Sequence, residues 1–282
     1  MIARRLPITP ARLGIRFNAV GITGATIVLF WGLVALLAPL LAPYSVGAIV
    51  DQDFFGPVSS QFWMGSDYLG RDVLSRVLYG ARFTVGISLA ATTLACFIGV
   101  TLGMIAAVAG GWFDTGLSRF LDALNSIPHL MFGLVVVAAI GSSLPVLIGT
   151  LAVIYSPGAY RFARALAVNI NTMDFVTVAR ARGEKTSYLI WSEILPNIVG
   201  PVLADFGLRF VFIVLVLSGL SFLGLGVQPP YADWGAIVKE NIGGLPFGAP
   251  AVIFPSLAIA SLTISVNMLI DNLPVKIRDR SA

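Results

Sequence analysis

The sequence predicts an all-α membrane protein with six transmembrane helices, and three observations carry that reading. Only 11% of the 282 residues are charged while 57% are hydrophobic, with a mean hydropathy of +0.90. A soluble domain carries about a quarter charged residues to hold its surface in water, so the excess apolar surface here faces lipid. Several charge-free stretches are long enough to cross a hydrocarbon core roughly 30 Å thick, which takes about 20 helical residues. The basic residues divide unevenly between the two sides that such spans define. The 29 glycines and 16 prolines fit the same class, because membrane helices tolerate both and small residues let their backbones approach.

Taken in order, Ala19 to Leu41 carries no charge and gives the first span. A basic segment, residues 1–18, precedes it. The apolar stretch exceeds the roughly 7–15 residues of a cleaved signal core, so an uncleaved span is expected. Phe83 to Gly110 gives the second span. Ala123 to Tyr160 lacks charge throughout and is too long for one span. Gly141-Ser142-Ser143-Leu144-Pro145 breaks it with turn residues, predicting a hairpin of two spans. The fifth runs from about Pro201 to Gly226 and the sixth from about Ala249 to Leu273, leaving a tail at 274–282.

With the N-terminus cytoplasmic, thirteen basic residues fall on that side: Arg4, Arg5, Arg12, Arg16, Arg119, Arg161, Arg164, Arg180, Arg182, Lys185, Lys276, Arg278 and Arg280. Four fall opposite (Arg71, Arg76, Arg82 and Lys239), and Arg209 lies within the fifth span. Positive charge collects on the cytoplasmic side of membrane proteins, so both termini are placed there. This bias accounts for the net charge of +4 without nucleic acid, for which no basic run with interleaved aromatics exists. The single cysteine, Cys96, can form no internal disulfide, and the single histidine, His129, has no sequence-near carboxylate to make a metal or relay site.

Three segments outside the spans hold most of the mechanism. In the cytoplasmic loop, about 167–200, Met173 to Arg182 reads as a short helix closed by Gly183. Arg180, Arg182 and Lys185 stand where cations suit its dipole. A second helix, Thr186 to Leu195, is expected to end at Pro196. Pattern alone admits two readings: a knob that docks in a partner's groove, or a helix pair resting on the membrane. In the outer segment, 42–82, Val73, Leu74, Val77, Leu78 and Ala81 recur at helical spacing, predicting an amphipathic helix at the membrane surface before the second span. The third segment is the outer loop from Gln228 to Gly248, rich in Gly and Pro. At the end of the fifth span, leading into it, Gly219 to Gly235 carries Gly219, Gly224 and Gly226, which permit close packing or a break, and Pro229-Pro230, expected to end the helix.

Within the spans, Asp205 and Arg209 lie four apart on one helix face. They form an internal neutral pair, or Arg209 lines a path and meets a substrate carboxylate. Asn267, Asp271 and Asn272 near the end of the sixth span line an exit or cap the helix.

These segments resemble the permease subunits of dipeptide, oligopeptide and nickel ABC importers. Ala179, Gly183 and Ile194-Leu195-Pro196-Asn197 match the coupling motif of that family, with Thr177 and Val178 replacing its usual Glu-Ala. Gly65 to Arg76 and Gly219 to Gly235 match the same subfamily, with Leu217 where a glutamate is common. The resemblance covers about Ala19 to Leu273. It implies a type I ABC importer permease fold in a bacterial inner membrane, with a cytoplasmic coupling-helix loop that includes Thr177, Ala179, Arg180, Gly183, Leu195 and Pro196. It further implies a second homologous permease, two ATPase subunits that bind ATP and Mg, and a periplasmic substrate-binding protein. Asp205, Arg209 and Asn267 become candidates for the translocation path, and peptides the modal solute.

No Walker A pattern is present: in Gly183-Glu-Lys-Thr186 the lysine does not follow the glycine, so no cofactor and no ATPase activity are expected of this chain itself. An ion-driven secondary transporter would call for several buried carboxylates and an internal repeat, and neither is visible. A membrane-embedded enzyme would need convergent polar residues that His129 alone does not supply.

Overall fold

The computed structural model describes residues 18–272, so the basic N-terminal segment and the C-terminal tail fall outside the described residues. The regular elements are helices throughout: α1 (Ala19–Leu41), α2 (Val73–Ala109), α3 (Gly111–Asn125), α4 (His129–Ile140), α5 (Leu144–Asn171), α6 (Asp174–Ala181), α7 (Thr186–Tyr188), a π-helical turn (Leu189–Ile194), α8 (Leu195–Phe222), α9 (Trp234–Glu240), a 3₁₀ turn (Ile242–Phe247) and α10 (Pro250–Asp271). Five helical stretches are long and apolar enough to cross a membrane, and a sixth crossing follows if α3 and α4, bent by 83°, are one span.

Packing direction decides that question. Gly99 of α2 faces Ser156 and Tyr160 of α5, Gly103 faces Tyr160 and Arg164, and Ala107 meets Asn171. The two helices therefore ascend together and are parallel. Between them the chain must return across the bundle, and only α3 and α4 lie between. At 12 residues α4 is about 18 Å long, too short to cross alone. The pair advances antiparallel to α5, from the Asp114–Arg164 contact through Ser118–Tyr160 to His129–Tyr155. Six crossings result, and both ends of the described chain lie with α6 at one end of the bundle. The segment 42–72 and α9 lie at the other.

α2 and α5 lie backbone to backbone because a Gly-x-x-x-Gly pair, Gly99 and Gly103, meets Ala159 and Ala163. A Cβ on Gly99 would stand 2.6 Å from the Ser156 carbonyl oxygen, and one on Gly103 2.7 Å from that of Tyr160. Small residues at this spacing let backbones touch, which is how membrane helices gain dispersion energy without a hydrophobic drive. Gly103→Leu is expected to cost at least about 1–3 kcal/mol by overpacking. Thermal aggregation of the detergent-solubilised chain reads this, with Gly116→Leu, whose Cβ meets open space, as the control that leaves it unchanged.

Three expectations are corrected. The expected surface helix from Val73 is not separate: α2 runs unbroken from Val73 to Ala109, capped by Asp72, whose carboxylate accepts from the Ser75 amide at 2.8 Å. No proline stands between 73 and 83, and the glycine there, Gly80, packs against Trp234. Arg71 and Arg76 are paired internally, while Arg82 stays exposed. The second loop helix does not stop at Pro196, nor does the fifth span start near Pro201. Thr186 to Phe222 is one 37-residue helical run. Proline lacks an amide hydrogen and crowds the carbonyl four residues back. The π turn absorbs this by widening just before it, so that the Leu195 amide reaches back to the Ile190 carbonyl. Finally, α8 ends at Phe222, seven residues before Pro229, because Gly224 takes φ +91° and the amides of Gly224 and Leu225 turn back onto Ser221 and Leu220.

Candidate functional site: a wired loop, a charged cavity and an ion cluster

The loop after α5 is built to stand as a rigid knob. Its inward face buries Val176, Ala179 and Leu189 against Val108 and Ile170, so α6 rests on the ends of α2 and α5. Arg182 caps α6 and Gly183 follows at φ +82°. The Gly183 amide donates to the Arg180 carbonyl (3.0 Å) and the Glu184 amide to that of Ala179 (3.3 Å), a complete Schellman closure. Nothing lies within 4 Å of a Cβ built on Gly183, so its backbone angle, and not crowding within this chain, requires glycine. Arg180 donates to the Asn171 side-chain oxygen (2.9 Å), and Asn171 in turn donates to the Ala107 carbonyl (3.1 Å). This relay ties α6 to the last turns of both long helices. The outward face carries exposed Thr177 and Arg180, and it leaves Met173, Val178 and Trp191 uncovered at 44, 56 and 53% exposure. Leu195 is half-buried and Pro196 exposed where the knob passes into α8.

Asp205 and Arg209 form the internal pair that their spacing suggests. Arg209 Nε and Nη2 donate to the two carboxylate oxygens at 2.6 and 2.9 Å, and Nη1 donates to the Tyr155 carbonyl at 3.2 Å. Both side chains border a cavity of about 330 Å³ between α5, α8 and the α3–α4 bend, which Asn125, His129, Tyr155 and Phe212 also line. His129 packs tilted on Tyr155, ring centroids 5.0 Å apart. The bend at Ser126-Ile127-Pro128 thus places the start of α4 at the cavity wall. Asn267 lies half-buried on α10 and is not among the lining residues. Asn272 caps α10 and donates to the Met268 carbonyl (2.9 Å).

At the opposite end, Gly65 to Arg76 folds into a buried ion cluster. Asp67 is fully buried, and its Oδ1 accepts the amides of Leu69 and Arg71, each at 2.9 Å. Its Oδ2 accepts Arg71 Nε and Arg76 Nη1, both at 2.7 Å. The same two arginines reach Glu240 at the end of α9, at 2.6 and 2.7 Å. Burial alone would lower the Arg71 pKa, but Asp67 and Glu240 outweigh it and hold the guanidinium above its usual value. Two acids and two bases make the cluster neutral. Beside it, fully buried Asp233 caps α9. Its carboxylate accepts from Ser221 (2.7 Å) and from the amides of Val227, Gly235 and Ala236. Trp234, also fully buried, donates its indole N–H to the Val77 carbonyl at 2.9 Å. Both motifs flanking the spans are therefore fastenings between α2, α8 and α9. Leu217 is packed in the apolar core with Leu147 and Leu151, away from the cavity.

Sequence reasoning placed the helix closed by Gly183 and the Asp205–Arg209 pair, and left the knob as one of two readings, but missed three things. The Gly99–Gly103 contact was signalled by its Gly-x-x-x-Gly spacing. The partnership of His129 and Tyr155 with the pair, and of Glu240 with Arg71 and Arg76, joins residues too far apart in the chain for spacing to reveal.

Comparison with known proteins identifies the family. The pattern of the family described as binding-protein-dependent transport system inner membrane component matches residues 99–279. Among curated proteins, the dipeptide transport system permease protein DppC of Alkalihalophilus pseudofirmus is 31% identical over 91% of this chain and 84% of its own. The glutathione transport system permease proteins GsiD of Pectobacterium atrosepticum (32% identical, 90% of this chain and 85% of that) and of Escherichia coli O6:K15:H31 (34%, 92% and 86%) match over similar lengths. With six helical crossings, a loop knob locked to two of them and a family match across more than half its length, the chain belongs to the binding-protein-dependent transport system inner membrane components and is a multi-pass permease of the ABC importer type.

Proposed function

We propose that this chain is one of two permease subunits that together form the path of an ATP-driven importer for peptides or a similar small solute. Its partners are a second, homologous permease, two ATPase subunits that bind ATP and Mg, and a periplasmic binding protein that delivers the solute. The observation that supports this best is the α6 knob, fixed to α2 and α5 through Asn171 and Arg180 and leaving an apolar face uncovered. A knob tied to two spans transmits movement of whatever grips it; a helix pair merely resting on lipid has no use for such a link. The relatives' functions, dipeptide and glutathione transport, support the solute class.

In this reading residues 1–18 and 274–282 are cytoplasmic, residues 19–273 form the transmembrane domain in the bacterial inner membrane, and the loop at about 167–200 couples it to the ATPases. Thr177, Ala179, Arg180, Gly183, Leu195 and Pro196 belong to the coupling surface. The surplus of basic residues at the α6 end supports that orientation. Asp205 and Arg209 border the path, and Asn267, half-buried on α10 and outside the cavity lining, belongs to its exit. The loaded binding protein docks on the segments at 42–82 and 228–248. ATP-driven closure of the ATPases draws the coupling loops together and turns the cavity outward; hydrolysis returns it inward.

Affinity purification of the chain in mild detergent, followed by mass identification of what accompanies it, tests the assembly. A second six-span permease and ATPase subunits are the expected companions. Isolation as an intact homo-oligomer without an ATPase would replace this reading with a secondary transporter.

A further inference from the structure

Resting on the permease reading above, we propose that the cavity at the α3–α4 bend takes a solute carrying both a carboxylate and an ammonium group, with Arg209 receiving the carboxylate and Asp205 the ammonium.

Three features point this way. First, the pair is not sealed in the core: both side chains, 12 and 13% exposed, border the same open cavity. Second, their bonding capacity is unspent. A guanidinium has five N–H donors. Arg209 directs two to Asp205 and one to the Tyr155 carbonyl, leaving two hydrogens on Nη1 and Nη2 for an incoming carboxylate. Each oxygen of Asp205 accepts one bond from Arg209 and keeps a lone pair free. Third, α4 begins at this wall with Pro128 in the cap position and no side chain bonded to its first turn. The positive end of that helix favours an anion arriving beside it, as broken helices do in other transporters.

Charge balance selects the ligand class. A lone anion would convert a neutral site into a net negative one within the membrane, and a lone cation would do the reverse; either is costly there. A zwitterion adds two ligand pairs at constant net charge, so no charge is left unpaired. The rings of Tyr155, His129 and Phe212 supply apolar wall for what lies between the two charged ends.

The test uses membrane vesicles containing the whole importer, with Leu208→Cys introduced in a Cys96→Ala background. Leu208 borders the cavity and is 42% exposed. The rate at which methyl methanethiosulfonate labels residue 208 is read by mass on this chain, with dialanine, N-acetyl-dialanine or dialanine amide present. Dialanine is expected to slow labelling, and each blocked form to protect roughly tenfold less well, the size of one lost charge-assisted contact. Asp205→Asn should erase the difference between dialanine and its acetyl form, and Arg209→Gln that between dialanine and its amide. Because Arg209→Gln alone strands Asp205, the double variant Asp205→Asn/Arg209→Gln provides an uncharged site in which all three protect equally poorly. Equal protection by all three in the otherwise native protein, no protection by any, or no labelling at all overturns the inference. Co-purification of ATPase subunits from the same vesicles reports separately on the permease reading: with them present and protection indifferent to charge, only this inference falls.

Discussion

Asp67→Ala is expected to cost about 3–5 kcal/mol of stability, the range found when one partner of a buried ion pair is removed. The carboxylate receives four hydrogen bonds and is wholly buried. Its loss leaves Arg71 and Arg76 sharing Glu240 alone, and Arg76 Nη2 already lacks a partner. Two guanidiniums against one carboxylate cannot stay dry, so the turn at 65–72 would open to hydrate them. The measurement is the thermal unfolding midpoint of the purified chain or its complex in detergent. Asp67→Asn, which keeps the shape but not the charge, should fall between alanine and native protein. Glu240→Gln should lower the midpoint less than Asp67→Ala, because Glu240 is 18% exposed and water can replace it. An Asp67→Ala protein as stable as the native one would mean that the cluster does not hold α2 and α9 together.

The purpose of that cluster explains why α2 could not be read correctly from sequence. Arg71, Asp72 and Arg76 lie close together in the chain, and an unpaired arginine belongs at a membrane surface. Only Glu240, more than 160 residues on, makes burial of both arginines affordable. The expected surface helix was a sound local inference defeated by a distant partner. The hairpin at 141–143 was legible because glycine and serine interrupt an apolar run within a few residues. The bend at 126–128 was hidden, since Ala123 to Tyr160 shows no charge to mark where a crossing starts and α3, amphipathic and tied down by Asp114–Arg164, completes it. The Asp205–Arg209 pair was visible because a helix puts residues four apart on one face. The cavity beside it was invisible, being formed by three helices whose approach the sequence does not state.

Legibility was best at Gly183, where the local rule for a glycine closing a helix is enough, and there the second large effect is expected. Gly183→Val should abolish uptake while the assembled importer continues to hydrolyse ATP. At φ +82° an L-residue brings its Cβ against the following carbonyl, at a cost of roughly 1–2 kcal/mol, and a β-branched one suffers most. That sum is small against the whole fold, so the spans and the α2–α5 contact should survive. It is large for an eight-residue helix, whose last two carbonyl bonds depend on this one turn. Once the turn relaxes, Arg180 leaves Asn171 and the knob is no longer fastened to the end of α2. Gly183→Asn separates this explanation from a simple loss of space at an ATPase contact, because asparagine tolerates left-handed backbone yet its side chain reaches one atom further from the backbone than that of valine. Uptake restored by asparagine and lost with valine is the expected pattern. If both fail alike, glycine is required for close approach of the partner; if both transport normally, the loop does not carry the stroke. The same vesicles, assayed for ATP hydrolysis with and without a loaded binding protein, show whether the fault lies in coupling, since only a coupling defect leaves hydrolysis running with no solute delivered.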